Sequence, residues 1–112
     1  MLFRSLRLFQ QVEFTDVFYA LDVRSIILKT YFEQREEELF NYQASAFRTF
    51  LSRNKLLSDY QRTVYRNFIR FASLLMKAEG DPEQVKKVAA EMEEVKQIAD
   101  LRWLREKLQS EV

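Results

Sequence analysis

Glycine and proline are each used once in the 112 residues of this chain, at Gly80 and Pro82. Average usage would place roughly eight glycines and five or six prolines in a chain of this length. The tight turns that connect β-strands rely on Gly, Asn-Gly and Pro, so this chain cannot easily reverse direction many times. At 47% hydrophobic and 31% charged residues, the composition is that of a globular domain. The sequence therefore predicts an all-α fold of about five helices, stacked as antiparallel hairpins.

Cysteine and histidine are both absent. Zinc sites almost always use Cys or His, and carboxylate-bridged di-iron bundles need a Glu-x-x-His pair. Carboxylate pairs such as Glu91 and Glu94 lie in charge-rich segments, whereas general acid–base chemistry needs a buried or mutually perturbed pair. We therefore expect a protein that is not an enzyme and that uses no metal or cofactor. An enzyme that positions an anionic substrate with Arg, Lys and Glu alone is the catalytic alternative.

The net charge of +1 creates no global field toward nucleic acid or membrane. No run of about 18 apolar residues, which a membrane span requires, occurs in the sequence. Arg4 and Arg7 interrupt the apolar N-terminus, so it lacks the hydrophobic region of a signal peptide. We expect a cytoplasmic protein without a membrane partner. An arginine-bearing amphipathic start is also compatible with a mitochondrial presequence.

Local signals divide this single helical domain into a hairpin-repeat body, residues 1–78, and C-terminal capping helices, residues 81–112. The boundary, Gly80-Asp81-Pro82, combines a helix-ending glycine, an Asp N-cap and a Pro at the first helical position. Apolar spacing predicts a short helix over 1–12, helix A over 16–32 and helix B over 36–54. Helix C is predicted from a Ser58/Gln61 capping box to Gly80. Helix D is predicted from Pro82 to about Ala99, and a last helix begins at Asp100.

Helix A has the widest apolar arc of these segments. One line contains Phe18, Leu21, Leu28 and Phe32, and neighbouring rows contain Ala20, Val23, Ile26, Ile27 and Tyr31. An arc this wide predicts burial on more than one side, so we expect helix A to be the central helix. Thr15 or Asp16 is its expected N-cap, and Asn54 is expected to end helix B in the left-handed conformation.

Two apolar surfaces are candidates for self-association. The first is an uncapped N-terminal segment with Leu2, Phe3, Leu6 and Phe9, which either folds back on helix A or pairs with a second copy. The second is a narrow stripe on helix D, which either packs inside the chain and closes the end of the stack or packs against a helix of another chain. Its residues are Val85, Val88, Met92 and Val95.

A basic stripe on helix C is the candidate site for an anionic partner. Arg62, Arg66 and Arg70 stand four residues apart, and Arg48, Arg53 and Lys55 precede them. Such a stripe could neutralise phosphates or bind an acidic peptide. The ordinary structural interpretation, which we favour, is a solvated helix face whose arginine stems cover apolar edges.

Helices A and B, from about Phe14 to Asn54, resemble a divergent tetratricopeptide-like helical hairpin. The resemblance is carried by residues 28–40, Leu-Lys-Thr-Tyr-Phe-Glu-Gln-Arg-Glu-Glu-Glu-Leu-Phe, with Arg35 where that family has a turn glycine. It implies an array of packed hairpins. Residues 21–31 and 47–57 also resemble the C-terminal helical region of large uncharacterised Bacteroidetes-type proteins. That likeness implies no activity and would make this chain the tail of a longer array.

These observations favour a non-catalytic protein–protein interaction or scaffolding module, whose partner is another protein or a second copy in a homodimer. The motivation is the wide apolar arc of helix A together with the absence of catalytic residue types. The alternative function, which is less favoured, is binding of nucleic acid or another anionic ligand through the basic stripe.

Overall fold

The backbone of residues 2–111 forms five α-helices in the computed structural model, which describes the side chains of residues 15–110. No β-strand occurs between residues 2 and 111, and helices that follow one another in the chain pack together. The predicted all-α architecture of stacked hairpins is therefore confirmed. The helices are α1 (Leu2–Glu33), α2 (Glu37–Arg53), α3 (Asp59–Lys77), α4 (Pro82–Glu94) and α5 (Leu101–Glu111).

The first helix is one continuous element of 32 residues, and the predicted break before helix A is wrong. Thr15 and Asp16 are good N-cap residues, but no Gly or Pro accompanies them to turn the chain. At 1.5 Å per residue, α1 is about 48 Å long, whereas the 17 residues of α2 reach only about 26 Å. The second helix can therefore line only about half the length of α1.

The turn between α1 and α2 depends on Arg35, which adopts a left-handed conformation with φ of 56°. Its backbone N–H donates to the Phe32 carbonyl at 3.1 Å, and the Glu36 N–H donates to the Tyr31 carbonyl at 3.0 Å. The Arg35 guanidinium lies over the Phe32 ring, 5.1 Å from its centroid. A residue other than glycine holds this conformation because its side chain is anchored beside the turn.

The turn between α2 and α3 is organised by side chains that bond to the backbone. Asn54 is extended, with φ of −87° and ψ of 109°, so the expected left-handed ending is wrong. Its Oδ1 accepts the Leu56 N–H at 3.0 Å, which stops the helix by an Asx-type bond. The predicted capping box of Ser58 and Gln61 is present in both directions and starts α3.

The central helix is α3, which packs against α2, α4 and α5. The expectation that helix A is central is wrong, because α1 packs mainly along α2 and reaches α5 only near its C-terminal end. In the predicted line of helix A, Leu21, Leu28 and Phe32 are buried, whereas Phe18 is exposed. The buried rows are Leu21, Leu28 and Phe32 in α1; Phe40, Ala44, Phe47 and Leu51 in α2; and Val64, Phe68, Phe71 and Leu75 in α3.

The last two helices close the stack on α3. Gly80 has φ of 79°, and the Asp81 side chain accepts the Gln84 N–H ahead of α4, as the boundary signals predict. Helix α4 ends at Glu94 and does not continue to Ala99, because the chain turns there to bond with α3. The Ala99 N–H donates to the Val64 carbonyl at 3.0 Å, and Asn67 Nδ2 donates to the Gln97 carbonyl at 2.8 Å. Among the described residues, no helix is long and apolar enough to cross a membrane.

Candidate protein-binding face

An apolar groove runs along the seam between α1 and α2, and we call it the outer groove. Its central cleft, of about 370 Å³, is lined by Tyr19, Ala20, Val23, Arg24, Ile27 and Gln43. A second cleft of about 300 Å³ continues it toward the end of α2 and is lined by Arg24, Ala46, Thr49, Phe50, Arg53 and Asn54. Because Arg24 lines both clefts, the two form one continuous surface feature.

The α1 wall of the outer groove is a second apolar row beside the core row. Ala20, Val23 and Ile27 are spaced by three and four residues, and each lies one or two positions away from a core residue such as Leu21 or Leu28. All three are half-buried, since α2 covers one edge of the row and no described residue covers the other. The wide arc of helix A thus has a different cause from the predicted one: α1 carries an apolar row that stays at the surface.

Two exposed apolar side chains of α2, Leu39 and Tyr42, share a helical face with the groove-lining residues Gln43 and Ala46. Leu39 and Tyr42 are 46% and 71% exposed, and Tyr19 across the groove is 70% exposed. Sequence reasoning did not identify Tyr42. The available signal was the spacing of 39, 42 and 46, which defines an α2 row separate from the buried one at 40, 44 and 47.

Electrostatic features of the groove are arranged along α2. Arg24 lies over the Phe50 ring, 4.6 Å from its centroid, and this cation–π contact fixes the guanidinium in the middle of the groove. Glu38 stands in the first turn of α2 and Arg53 in the last. Among the described residues neither forms an ion pair, so a partner that lies along α2 meets an acidic end and a basic end.

The arginines of the predicted basic stripe are used to join helices. Arg62 Nε donates to the Leu51 carbonyl at 3.0 Å, and its Nη2 donates to the Asn54 carbonyl at 2.7 Å. These bonds satisfy carbonyls at the end of α2, which has no further helical turn to bond them. Arg62 Nη1 also lies 3.2 Å from the Asp59 carboxylate. Arg62 therefore acts as a C-terminal cap of α2 supplied by α3.

The two other stripe arginines also have partners inside the chain. Arg66 Nη2 lies 3.2 Å from Ser52 Oγ on α2. Arg70 forms a 2.8 Å ion pair with Glu91 of α4, and its guanidinium lies over the Phe71 ring at 4.9 Å. The stripe thus joins α3 to α2 and to α4.

Of the three basic residues that precede the stripe, only Arg48 lies with it, on the seam between α2 and α3. Arg48 Nη2 lies 3.4 Å from Ser73 Oγ, on the seam between α2 and α3. Arg53 lines the outer groove, on the other side of α2 from Arg48. Lys55 is exposed in the turn before α3. The six predicted anion-binding residues therefore occupy two faces and a turn.

The predicted self-association residues of helix D lie inside the chain. Val85, Val88 and Met92 are buried, and Val95 packs half-buried against the core. Helix α4 packs against α3 and α5, so the stripe is filled by residues of the same chain. Of the two alternatives for this stripe, closure of the stack is the one observed, and the seam is not open to a second copy.

Leu2, Phe3, Leu6 and Phe9, the other self-association candidates, lie outside the residues whose side chains the structure describes. Their backbone belongs to the continuous helix α1. The alternative in which this segment folds back along helix A is therefore wrong, since no turn separates the two.

Comparisons with known proteins add no relative to this picture: no family model, curated protein or solved structure matches the chain. Within the described residues, no three of Asp, Glu, His or Cys come together in an arrangement that could hold a metal ion.

Proposed function

We propose that this chain is a helical protein–protein interaction module that binds an amphipathic helix of a partner in the outer groove between α1 and α2. The observation that carries the proposal is the apolar cleft lined by Tyr19, Ala20, Val23 and Ile27, with the exposed Leu39 and Tyr42 on the groove-facing side of α2. Contiguous exposed apolar surface on a folded protein is typical of an interaction site, whereas single exposed apolar residues are not.

The shape and chemistry of the groove fit a helix more closely than a small ligand. A groove between two antiparallel helices accepts the ridge of a third helix, with apolar anchors spaced by three and four residues. The rim tyrosines supply large contact area with a polar tip, and tyrosine is enriched where interfaces bind most tightly. In helical repeat arrays, the same face of a hairpin is covered by the next hairpin. A partner helix, from another protein or from a second copy, would cover it in the same way.

Nucleic-acid binding through the basic stripe is not favoured by the contacts. Phosphate binding needs guanidinium groups that face solvent and act together. Arg62 is committed to backbone carbonyls of α2, and Arg70 is paired with Glu91. If these arginines left their partners to bind phosphate, the fold would lose stability. The contacts of the stripe with α2 and α4 account for its four-residue spacing.

The test compares two exposed tyrosines, Tyr42 in the outer groove and Tyr60 at the start of α3. A photo-crosslinking phenylalanine derivative is placed at either position, and cells that produce the protein are irradiated. We expect a discrete adduct from position 42 only, and its loss when Leu39→Glu is added. The purified chain, irradiated alone and examined by light scattering, shows whether the adduct partner is a second copy. Equal adduct patterns from positions 42 and 60 would contradict the proposal.

A further inference from the structure

A polar cleft lies on the side of α1 that faces α3 and α5, away from the outer groove. It encloses about 300 Å³ and is lined by Asp22, Ser25, Ile26, Lys29, Tyr65 and Asp100. The lining combines three elements, since α1 supplies four residues, α3 supplies Tyr65, and Asp100 directly precedes α5. None of these residues was assigned a ligand-binding role by sequence reasoning.

Ser25 provides the first indication of a ligand. It stands in the core row of α1, between Leu21 and Leu28, and is only 5% exposed. Its hydroxyl has no hydrogen-bond partner in the part of the chain that the structure describes. A serine inside a helix normally bonds the carbonyl four residues earlier, and a buried hydroxyl without a partner is destabilising. Alanine would fit this row without burying an unbonded hydroxyl. The presence of serine at the wall of the cleft therefore points to a ligand that bonds to it.

The charges that line the cleft leave a net negative charge. Lys29 Nζ lies 2.8 Å from the Asp100 carboxylate, so this pair is neutral as a unit. Asp22 has no ion pair among the described residues. The pKa of the Tyr65 hydroxyl is raised, first by burial and then by the negative charges of Asp22 and Asp100. The two carboxylates therefore make positive charge more favourable than negative charge beside this hydroxyl.

The hydrogen-bonding groups of the cleft specify the chemistry of that cation. Asp22 offers carboxylate oxygens, and the hydroxyls of Ser25 and Tyr65 can each accept a hydrogen bond. Guanidinium and primary ammonium groups have several N–H donors and no acceptor, which matches an acceptor-rich wall. Ile26, 60% exposed at the rim, presents apolar surface on which the methylene stem of such a group can lie.

We propose that the cleft of Asp22, Ser25 and Tyr65 binds a guanidinium or primary ammonium group, carried by an arginine or lysine side chain of a protein or by a free amine. The inference is independent of the function proposed for the outer groove, because the two surfaces share no residue. Because Lys29 is ion-paired with Asp100, the Asp22 carboxylate remains available to the bound cation.

The experiment titrates the 112-residue chain with small probes and follows backbone amide signals by NMR. Blocked arginine amide is compared with blocked citrulline amide, which has a similar shape but carries no charge. We expect the arginine probe to shift signals around residues 22–29, 65 and 100, and the citrulline probe to shift them much less. Equal shifts from both probes, or no shift from either, would overturn the proposal.

Two further probes separate the possible sources of the cation. A blocked Gly-Arg-Gly peptide represents a protein side chain, and agmatine represents a free amine with the same guanidinium. Tighter binding of the peptide supports a protein source, and tighter binding of agmatine supports a small-molecule source. Whichever probe binds more tightly, the result supports binding of a guanidinium group in the cleft.

Matched variants test whether the cleft itself is responsible. Asp22→Asn is expected to weaken binding of the arginine probe about two- to fivefold, which corresponds to one exposed charged contact. Asp16→Asn removes the same charge from α1 outside the cleft and is expected to leave binding unchanged. Equal losses in the two variants would show a non-specific charge effect and overturn the proposal.

Ser25→Ala separates a ligand-binding role from a structural one. If the hydroxyl bonds only to a ligand, Ser25→Ala has a higher melting temperature than the wild type when both are measured without probe. The variant then also binds the arginine probe more weakly. If the melting temperature falls, the hydroxyl is satisfied within the fold, and the main argument for a ligand is lost.

Discussion

Trp103 and Phe32 meet edge to face, with ring centroids 5.0 Å apart and ring planes inclined by 73°. The Trp103 ring also meets Phe68 at 6.0 Å, and its indole N–H donates to the Glu33 carboxylate at 3.3 Å. One side chain of α5 thereby contacts both the end of α1 and the central helix α3. Residues 70 positions apart in the chain are joined here, so the contact is a sensitive place to test the packing.

Replacement of Trp103 by alanine is expected to destabilise the fold by about 2–4 kcal/mol, since a large, partly buried aromatic group is lost. Urea unfolding followed by circular dichroism measures the change, because the substitution removes the single tryptophan. Trp103→Phe keeps an aromatic ring and should cost clearly less. A loss below 1 kcal/mol for the alanine variant would mean that α5 does not depend on this contact.

Replacement of Arg62 by glutamine is expected to cost about 1–3 kcal/mol, because two carbonyls at the end of α2 lose charged donors. Arg66→Gln, on the same helix face, loses one contact to an exposed serine hydroxyl and should cost less than about 0.5 kcal/mol. Urea unfolding of both variants gives the comparison. Equal effects would contradict the assignment of Arg62 as the cap of α2.

The ion pair of Glu33 and Lys107 predicts an acid-sensitive contribution to stability. The pKa of Glu33 is lowered from its ordinary value of 4.5, chiefly by the hydrogen bond from Lys107, with burial opposing. Since the folded-state pKa lies below the unfolded one, the contribution is present above about pH 4.5 and is lost as the pH falls through the folded-state value.

Unfolding by urea at pH 7 and at pH 3.5 tests this linkage in the wild type and in Glu33→Gln. The wild type should lose more stability between these two pH values than the glutamine variant does. Because Glu33 is about half exposed, the difference is expected to be small. Parallel losses in both proteins would show that Glu33 is not among the groups that make the fold acid-sensitive.

Replacement of Gly80 by alanine is expected to cost about 1–2 kcal/mol through backbone strain alone, because φ is 79°. A Cβ added at this position would meet no atom within 4 Å, so steric overlap does not contribute. Gly80→Asn should cost less, because asparagine tolerates the left-handed conformation. Thermal unfolding of the two variants is the measurement, and an alanine variant as stable as the wild type would contradict the strain argument.

Much of the local architecture could be predicted from the sequence, because its signals act between near neighbours. The Ser58/Gln61 capping box and the Gly80-Asp81-Pro82 boundary each involve residues within three or four positions, and both occur as predicted. The buried residues Leu21, Leu28 and Phe32 of α1 were likewise identified from their helical spacing. Such patterns predict where helices begin and end and which side is apolar.

The candidate sites could be predicted only in part, because their contacts connect distant parts of the chain. The spacing of Arg62, Arg66 and Arg70 marks a basic face, but only the packed structure shows which carbonyls, hydroxyls and carboxylates they meet. The cleft at Ser25 depends on Tyr65 and Asp100, which lie 40 and 75 positions further along. No local pattern brings those residues together.

What the sequence by itself determined is therefore the fold class and most of the element boundaries, which depend on turn residues, caps and helical periodicity. The tertiary structure decided that α3 and not α1 is central, since an apolar arc has the same appearance whether a neighbour covers it or not. It also decided that the row of Val23 and Ile27 remains at the surface while that of Val85 and Val88 is buried. Burial depends on which helices meet, and that choice minimises exposed apolar area over the whole chain.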